Sequence, residues 1–187
     1  MKLERDFYRQ SGLIVARELI GKKLVTNFDE GMTAGIIIET EAYMGVDDAA
    51  SHSYKNRRTA RTEAMFSDGG HLYVYLIYGM YICANVVANV KDIPEAVLIR
   101  ALKPTDGIEL MQSRRNRKSL KDLCSGPGKL TKALGITKEH YNLDLCGDKI
   151  FIETTDLKPE ILKTKRINID YAGEAADYLW RFITTNV

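Results

Sequence analysis

Two carboxylates follow an apolar run in an arrangement that could supply a general base. Glu39 and Glu41 come directly after three consecutive isoleucines, and Tyr43 lies two positions further on. Alternate residues of a strand share a face, so these three side chains project together and the carboxylates lie about 7 Å apart. A carboxylate at the end of a buried strand must be hydrogen-bonded, paired with a cation or used in chemistry. A surface-facing glutamate pair near a strand end explains the same spacing.

Arg100 is a candidate partner for these carboxylates. It interrupts the apolar run 97–102, and an arginine in such a run is rarely buried without an acidic partner. Pairing with Glu41 or Glu39 would hold the carboxylate ionised against the desolvation that otherwise raises its pKa. An ionised carboxylate in a sheltered site can activate water as a general base. A purely structural buried ion pair fits the same residues.

His52 lies in the segment after Glu41, close in sequence to Asp47 and Asp48. Their spacing matches no diagnostic set of metal ligands. The three cysteines are widely separated and form no Cys-x-x-Cys pair, which predicts reduced thiols and argues against a structural zinc site. We therefore expect no metal and no cofactor, and a histidine that makes backbone or stacking contacts.

A tyrosine-rich hairpin is predicted over 71–88. Two β-prone runs flank Gly79, and the alternation in the first run places Tyr73 and Tyr75 on one face. The bend is surrounded by three large side chains: Tyr78, Met80 and Tyr81. Such a cluster is either a corner of the core or a probe for something outside the protein.

The overall charge does not identify a partner. The formal net charge is +2, from 27 basic and 25 acidic residues, although basic residues cluster within 55–61 and 114–121. These clusters are compatible with phosphate contact and equally with solvated loops. No apolar run is long enough to span a bilayer, and the charged N-terminus lacks the apolar region of a signal peptide. We expect a cytoplasmic (in a bacterium, nucleoid-associated) or nuclear protein that is not secreted.

Sequence pattern and turn residues predict strands interspersed with short helices. Helices are expected over 11–20 and 106–115 and from Pro127 to Gly135, the last one capped by Ser125 or Gly126. Strands are expected, besides the hairpin, over 22–28, 33–43, 96–102, 149–153, 166–170 and 178–183. Segment 44–68 is expected to be mostly loop, with one helical turn near 47–51. Residues 1–187 are therefore predicted to form a single α+β domain with a curled, mostly antiparallel β-sheet and flanking short helices.

Several separated motifs occur in a specific order along the chain. They are ETEAYMG at 39–45, ASHS at 50–53, MF at 65–66, LYVY at 72–75, IYGMY at 77–81, Asn85, LIRAL at 98–102 and CSGPGKL at 124–130. In order and spacing these motifs resemble the alkyladenine (3-methyladenine) DNA glycosylases of the methylpurine type. The resemblance covers nearly the whole chain, which makes it far more specific than any single motif.

The resemblance implies a catalytic pair and a base-binding pocket. Glu41 would activate the attacking water, and Arg100 would position that water and the carboxylate. Rings in the pocket would sandwich an extruded base, and an asparagine would crowd the 2-amino group of guanine. The pocket residues would be Tyr43, His52, Tyr75, Asn85 and Leu98.

The resemblance also implies how DNA is held. Tyr78 would be the wedge that enters the minor groove and fills the gap left by the extruded nucleotide. Met80 and Tyr81 would flank it against the disturbed duplex, and Thr59 and Arg61 would contact the DNA backbone. The implied partner is double-stranded DNA containing damaged purines. We expect no membrane partner and a monomer, which is the simpler state for an enzyme that scans DNA.

The implied reaction is base excision by water. Substrates would include 3-methyladenine, 7-methylguanine, hypoxanthine and ethenoadenine. The enzyme would be monofunctional, leaving the strand uncut at the abasic site. Two alternatives stay open: a non-catalytic nucleic-acid binding module of the same fold, and a metal-assisted hydrolase built on Glu39, Glu41, Asp48 and His52.

Overall fold

The strand that contains the isoleucine run organises the sheet. The computed structural model describes residues 1–77 and 79–187, and within them all strand pairings are antiparallel. The strands are β1 (Lys23–Phe28), β2 (Gly31–Tyr43), β3 (Leu72–Ile77), β4 (Tyr81–Ala88), β5 (Glu95–Asp106), β6 (Ile150–Glu153), β7 (Leu162–Thr164) and β8 (Arg181–Ile183). Their order is β3-β4-β5-β2-β1-β6, and β8 joins β7 to β2.

The sheet curls because β2 changes partners along its length. Its first half pairs with β1, whereas Glu39–Glu41 pairs with β8. On its other side β2 pairs with β5 from Ala34 to Tyr43, with register shifts that include those between Ile37 and Thr40. Such irregularities bend a strand and increase its local twist. The predicted α+β fold with a curled, mostly antiparallel sheet is confirmed.

Short helices pack against this sheet. They are α1 (Arg5–Tyr8), α2 (Gly12–Glu18), α3 (Ile108–Arg115) and α4 (Pro127–Leu134). The predicted helices over 11–20, over 106–115 and from Pro127 are confirmed, with Gly126 as the N-cap of α4. Gly135 ends α4 with a left-handed φ of 73°, a conformation that a residue without Cβ adopts freely. Further 3₁₀ turns lie at Gly45–Asp47, Tyr54–Asn56, Glu63–Phe66, Leu120–Asp122, Lys138–His140 and Asp170–Asp177.

The core lies between the sheet and helices α2, α3 and α4. Its fully buried members include Val15, Ala16, Ile37, Ile99, Met111, Leu130 and Leu134. Burial on this scale is the main source of folding free energy. In the part of the chain that the structure describes, no helix is long and apolar enough to cross a membrane.

The C-terminal segment differs from the sequence prediction. The expected strand over 166–170 is wrong: residues 165–169 are irregular, and a 3₁₀ turn over Asp170–Asp177 follows. The short strand β7 just before them was not predicted. The reason for the irregular backbone is local, because the Ile167 N–H donates to a side chain at 2.8 Å instead of to a neighbouring strand. An apolar and β-branched pattern cannot reveal such a competing acceptor.

Gly69 allows the chain to pass close to α1 before the hairpin begins. A Cβ at this position would lie 2.4 Å from the Tyr8 carbonyl oxygen and 2.8 Å from the Asn89 carbonyl oxygen. We predict that Gly69→Ala lowers the free energy of unfolding by about 1–3 kcal/mol, because two backbone segments must move apart. Urea denaturation measures this. Gly147→Ala is the control, since its nearest atom lies at 3.2 Å. Equal midpoints for the two variants would contradict the prediction.

Candidate active site

Glu41 is enclosed near the end of β2. The residue has no solvent exposure, and three groups reach its carboxylate. The Tyr43 hydroxyl donates to Oε2 at 2.9 Å, and Nη1 of Arg100 contacts the same oxygen at 3.4 Å. The Ile167 backbone N–H donates to Oε1 at 2.8 Å. The carboxylate is therefore both paired and hydrogen-bonded, as a buried charge requires.

Arg100 joins two glutamates rather than one. Its Nε donates to Glu39 Oε1 at 2.9 Å, and Nε of Arg181 donates to the same oxygen at 2.7 Å. The sequence left Glu39 and Glu41 as alternative partners, and the structure realises both. Glu39 is balanced by two guanidinium groups and anchors Arg100, which leaves Arg100 Nη1 for Glu41.

The surroundings of Glu41 alter its acidity. Burial raises the pKa of the Glu41 carboxyl above its usual value, Arg100 and then the Ile167 N–H and the Tyr43 hydroxyl oppose the rise, and Glu39 adds to it. Arg100 therefore limits the effect of desolvation without cancelling it. A carboxylate with a raised pKa is a stronger base toward water. Burial and the nearby Glu41 carboxylate also raise the pKa of Tyr43, so its hydroxyl stays a donor.

Three rings form an aromatic wall next to this acid. The His52 and Tyr75 rings meet edge to face, with centroids 4.6 Å apart, and Tyr73 lies 5.5 Å from Tyr75. Nδ1 of His52 and the Tyr73 hydroxyl share a hydrogen bond of 2.9 Å. The guanidinium of Arg61 lies 5.2 Å from the centre of the Tyr75 ring, a distance typical of a cation–π contact. The predicted common face of Tyr73 and Tyr75 is confirmed.

A cleft of about 620 Å³ collects most of the predicted site residues. Of these it is lined by Tyr43, His52, Arg61, Tyr75, Tyr81, Leu98 and Arg100. Asn85 lines a smaller adjoining recess that it shares with Tyr43, His52 and Tyr75. There Asn85 is 3% exposed, and its side-chain amide donates to the Tyr73 carbonyl at 3.1 Å. The sheet thus brings residues from β2, β3, β4 and β5 around one opening.

Comparison with known proteins identifies the family of the chain. A family model described as methylpurine-DNA glycosylase (MPG) matches residues 6–187. The chain belongs to this family. The resemblance inferred from the motifs is therefore confirmed.

Three relatives of this family member are similar along nearly their whole length, and each carries the name "Putative 3-methyladenine DNA glycosylase". The protein from Clostridium acetobutylicum is 49% identical over 191 residues, covering 97% of this chain and 93% of that protein. The one from Bacillus cytotoxicus is 49% identical over 198 residues, covering 100% and 97%. The one from Alkaliphilus oremlandii is 48% identical over 191 residues, covering 97% and 95%.

The residues predicted to touch DNA lie at the hairpin bend and in the loop before it. Met80 is 70% exposed and Tyr81 is 47% exposed, as side chains facing a partner would be. Tyr78, the predicted wedge, lies outside the described residues. Thr59 is exposed and shares a hydrogen bond of 3.1 Å with the Thr62 hydroxyl within a turn. The contacts of these residues with DNA stay a prediction.

Sequence reasoning missed two parts of the site. The first is the Ile167 N–H, which carries no side-chain signal. The second is a cationic side of the cleft, formed by Arg115, Arg117 and Lys129 from the basic cluster and the CSGPGKL motif. Lys129 forms an ion pair with Asp122 at this side. The basic residues within 114–121 were noticed in the sequence, but nothing there indicated that they would face the tyrosines.

The residues of the metal-assisted alternative have other partners. Asp48 forms an ion pair with Arg166, and His52 is bonded to Tyr73. Within 1–77 and 79–187, no three His, Cys, Asp or Glu side chains are grouped so that they could hold a metal ion.

His52 is predicted to stay neutral in the folded protein. Burial, together with the charges of Arg61 and Arg57, lowers the pKa of its imidazole from 6.5 to about 4. The unfolded chain therefore binds this proton at a higher pH than the folded protein does. We expect the His52 contribution to stability to be complete above about pH 6.5 and to be lost as the pH falls toward 4. NMR titration of the ring measures the midpoint, and a value near 6.5 would contradict the prediction.

Proposed function

We propose that this family member is a monofunctional DNA glycosylase of base excision repair, which hydrolyses the N-glycosidic bond of damaged purines everted from duplex DNA. One observation carries the proposal: a fully enclosed carboxylate, Glu41, is held beside Arg100 next to an aromatic-lined cleft. The names of the relatives support 3-methyladenine as one substrate. The further proposed substrates are 7-methylguanine, hypoxanthine and ethenoadenine.

The proposed chemistry uses water and the Glu41 carboxylate. As the glycosidic bond breaks, positive charge develops on the sugar, and a nearby carboxylate stabilises this oxocarbenium-like transition state. Glu41 then takes the proton of the attacking water. Its raised pKa favours that proton transfer. Arg100 orients the carboxylate and the water, and the chain's own groups complete the reaction without a cofactor and without cutting the strand.

The proposed substrate specificity comes from stacking in the cleft. Extraction of a nucleotide from the duplex costs a few kcal/mol, and stacking on aromatic side chains returns about 1–3 kcal/mol per base. We place the purine between Tyr43 on one side and the His52–Tyr75 wall on the other. A 3- or 7-alkylated purine carries positive charge and gains further binding free energy from electron-rich tyrosines.

The proposed DNA contacts use the hairpin bend and the basic residues around the cleft. Met80 and Tyr81 press on the duplex beside the nucleotide gap, where an inserted side chain bends DNA. Tyr78 is proposed as that inserted wedge from the sequence alone. Arg61 and Thr59 approach the backbone phosphates. We propose that residues 1–187 act as one glycosylase domain and as a monomer on damaged duplex DNA, in the compartment where cellular DNA is held.

Glu41→Gln tests the catalytic role. We expect this variant to lose excision of hypoxanthine by at least about 10³-fold, because an amide cannot accept the proton of water at neutral pH. Binding to the same duplex should remain. Single-turnover release of the base and equilibrium DNA binding measure the two properties.

Glu39→Gln is the matched control for the Glu41 test, because it also removes one carboxylate bonded to Arg100. We expect at most about a tenfold slower rate, since Arg100 keeps its contact with Glu41. Retained excision by Glu41→Gln would reject Glu41 as the base. Absence of excision by the unaltered protein, together with DNA binding, would favour the non-catalytic binding module. Loss of the unaltered protein's excision in EDTA would instead favour the metal-assisted alternative.

Asn85→Ser tests discrimination against normal guanine. The buried Asn85 amide lines the recess beside the proposed stacking site. A smaller serine should leave room for the 2-amino group, and we expect guanine release from undamaged duplex to rise about tenfold. Single-turnover assays with enzyme in excess measure the rate. Asn27→Ser, at an exposed position of β1, serves as control. An unchanged rate of guanine release would contradict the proposed role of Asn85 in excluding guanine.

A further inference from the structure

A second buried ion pair lies close to the Glu41 site and has no role in the chemistry described so far. The side chains of Asp48 and Arg166 are both fully buried and form two hydrogen bonds, of 2.5 and 2.9 Å. Arg166 also donates to the Ala42 carbonyl at 3.0 Å and to the Ala175 carbonyl at 3.1 Å. Asp48 accepts from the backbone N–H groups of Met44 and Ala50.

Aromatic rings complete this arrangement. The Arg166 guanidinium lies 4.9 Å from the ring centre of Tyr43 and 4.9 Å from that of Trp180. Tyr43 is the residue whose hydroxyl donates to Glu41. A flat guanidinium with fixed donors is suited to such a position, whereas lysine is not. Arg166 therefore contacts β2, the turn after it and the 3₁₀ turn over Asp170–Asp177.

The stability of the pair does not explain its presence. Replacement of a buried ion pair by well-packed apolar residues is often neutral or stabilising. The pair instead lies where an irregular stretch of chain has to be held. Residues 165–169 form no strand or helix, and Asn168 has a left-handed φ of 58°, which is uncommon for a residue other than glycine. Ile167, Asn168 and Ile169 nevertheless line the cleft.

The next residue along the chain connects the pair to Glu41. Arg166 directly precedes Ile167, and the Ile167 N–H donates to Glu41 Oε1 at 2.8 Å. We propose that the Asp48–Arg166 ion pair is a positioning pair, which holds segment 166–169 against the end of β2 and so keeps the Ile167 N–H on the Glu41 carboxylate. This inference rests on the proposed glycosylase function.

Asp48→Asn tests the positioning role. We expect single-turnover excision of hypoxanthine to slow by about tenfold or more, because the Glu41 carboxylate loses a donor that fixes its orientation toward the attacking water. We also expect the acid limb of the pH–rate profile to move to higher pH, since loss of the Ile167 donor raises the pKa of Glu41 further. Arg100, Glu39 and Tyr43 also face Glu41. This variant changes none of the three, and of these Tyr43 contacts Arg166 through its ring.

The outcomes separate positioning from simple stabilisation. A slower rate with a shifted acid limb supports the proposal. A variant that melts at lower temperature but keeps the rate and the acid limb of the unaltered protein overturns it. Ile150→Val, in the buried part of β6 and away from the cleft, is the control for lost stability, and its acid limb should not move. Lack of excision by the unaltered protein would reject the glycosylase function itself.

Two further measurements keep the proposal testable if Asp48→Asn does not fold. Arg166→Lys keeps the charge but loses the planar fork, and we expect it to shift the acid limb in the same direction. In the unaltered protein, the Ile167 amide resonance should follow the titration of Glu41, and Glu41→Gln should abolish that response. An Ile167 amide that ignores the titration would overturn the proposal whatever the variants do.

Discussion

The structure depends on one carboxylate that is shielded from water and is also paired with a cation and hydrogen-bond donors. Glu41 is enclosed. Desolvation of an unpaired charge in such a place would cost more free energy than the net stability of a small domain. Three elements therefore converge on it: Arg100 from β5, Tyr43 from β2 and the Ile167 N–H from an irregular segment. The curl of the sheet makes this convergence feasible, because β2 changes partner at the level of its two glutamates.

The cleft beside this acid has two chemically different sides. Rings from β2, β3 and the loop before the hairpin form one side, and cations from the end of α3, the segment after it and the start of α4 form the other. The arrangement suits a nucleotide, which has a flat aromatic part and an anionic part. Neither side is continuous in sequence, so only the folded chain presents both to one ligand.

The sequence predicted those features that repeat or that carry a side-chain signal. The isoleucine run located β2, alternation gave the shared face of Tyr73 and Tyr75, and the guanidinium in an apolar run indicated a carboxylate partner. The irregular segment around Ile167 was predicted as a strand, because a backbone N–H donating to a side chain leaves no mark in the sequence. The basic cluster faces the tyrosines because of long-range packing, which a local sequence pattern does not encode.

Gly128 has no side chain, and helix α4 packs closely against the hairpin at this position. A Cβ there would lie 2.9 Å from Cβ and Cδ1 of Tyr81, so the first turn of α4 touches the hairpin directly beside its bend. The distance between α4 and the bend is kept short by the absence of a methyl group at position 128. Relatives with a larger residue at this position would hold their hairpin further from the helix. The width of the cleft opening would then change even if the residues that line it stayed the same.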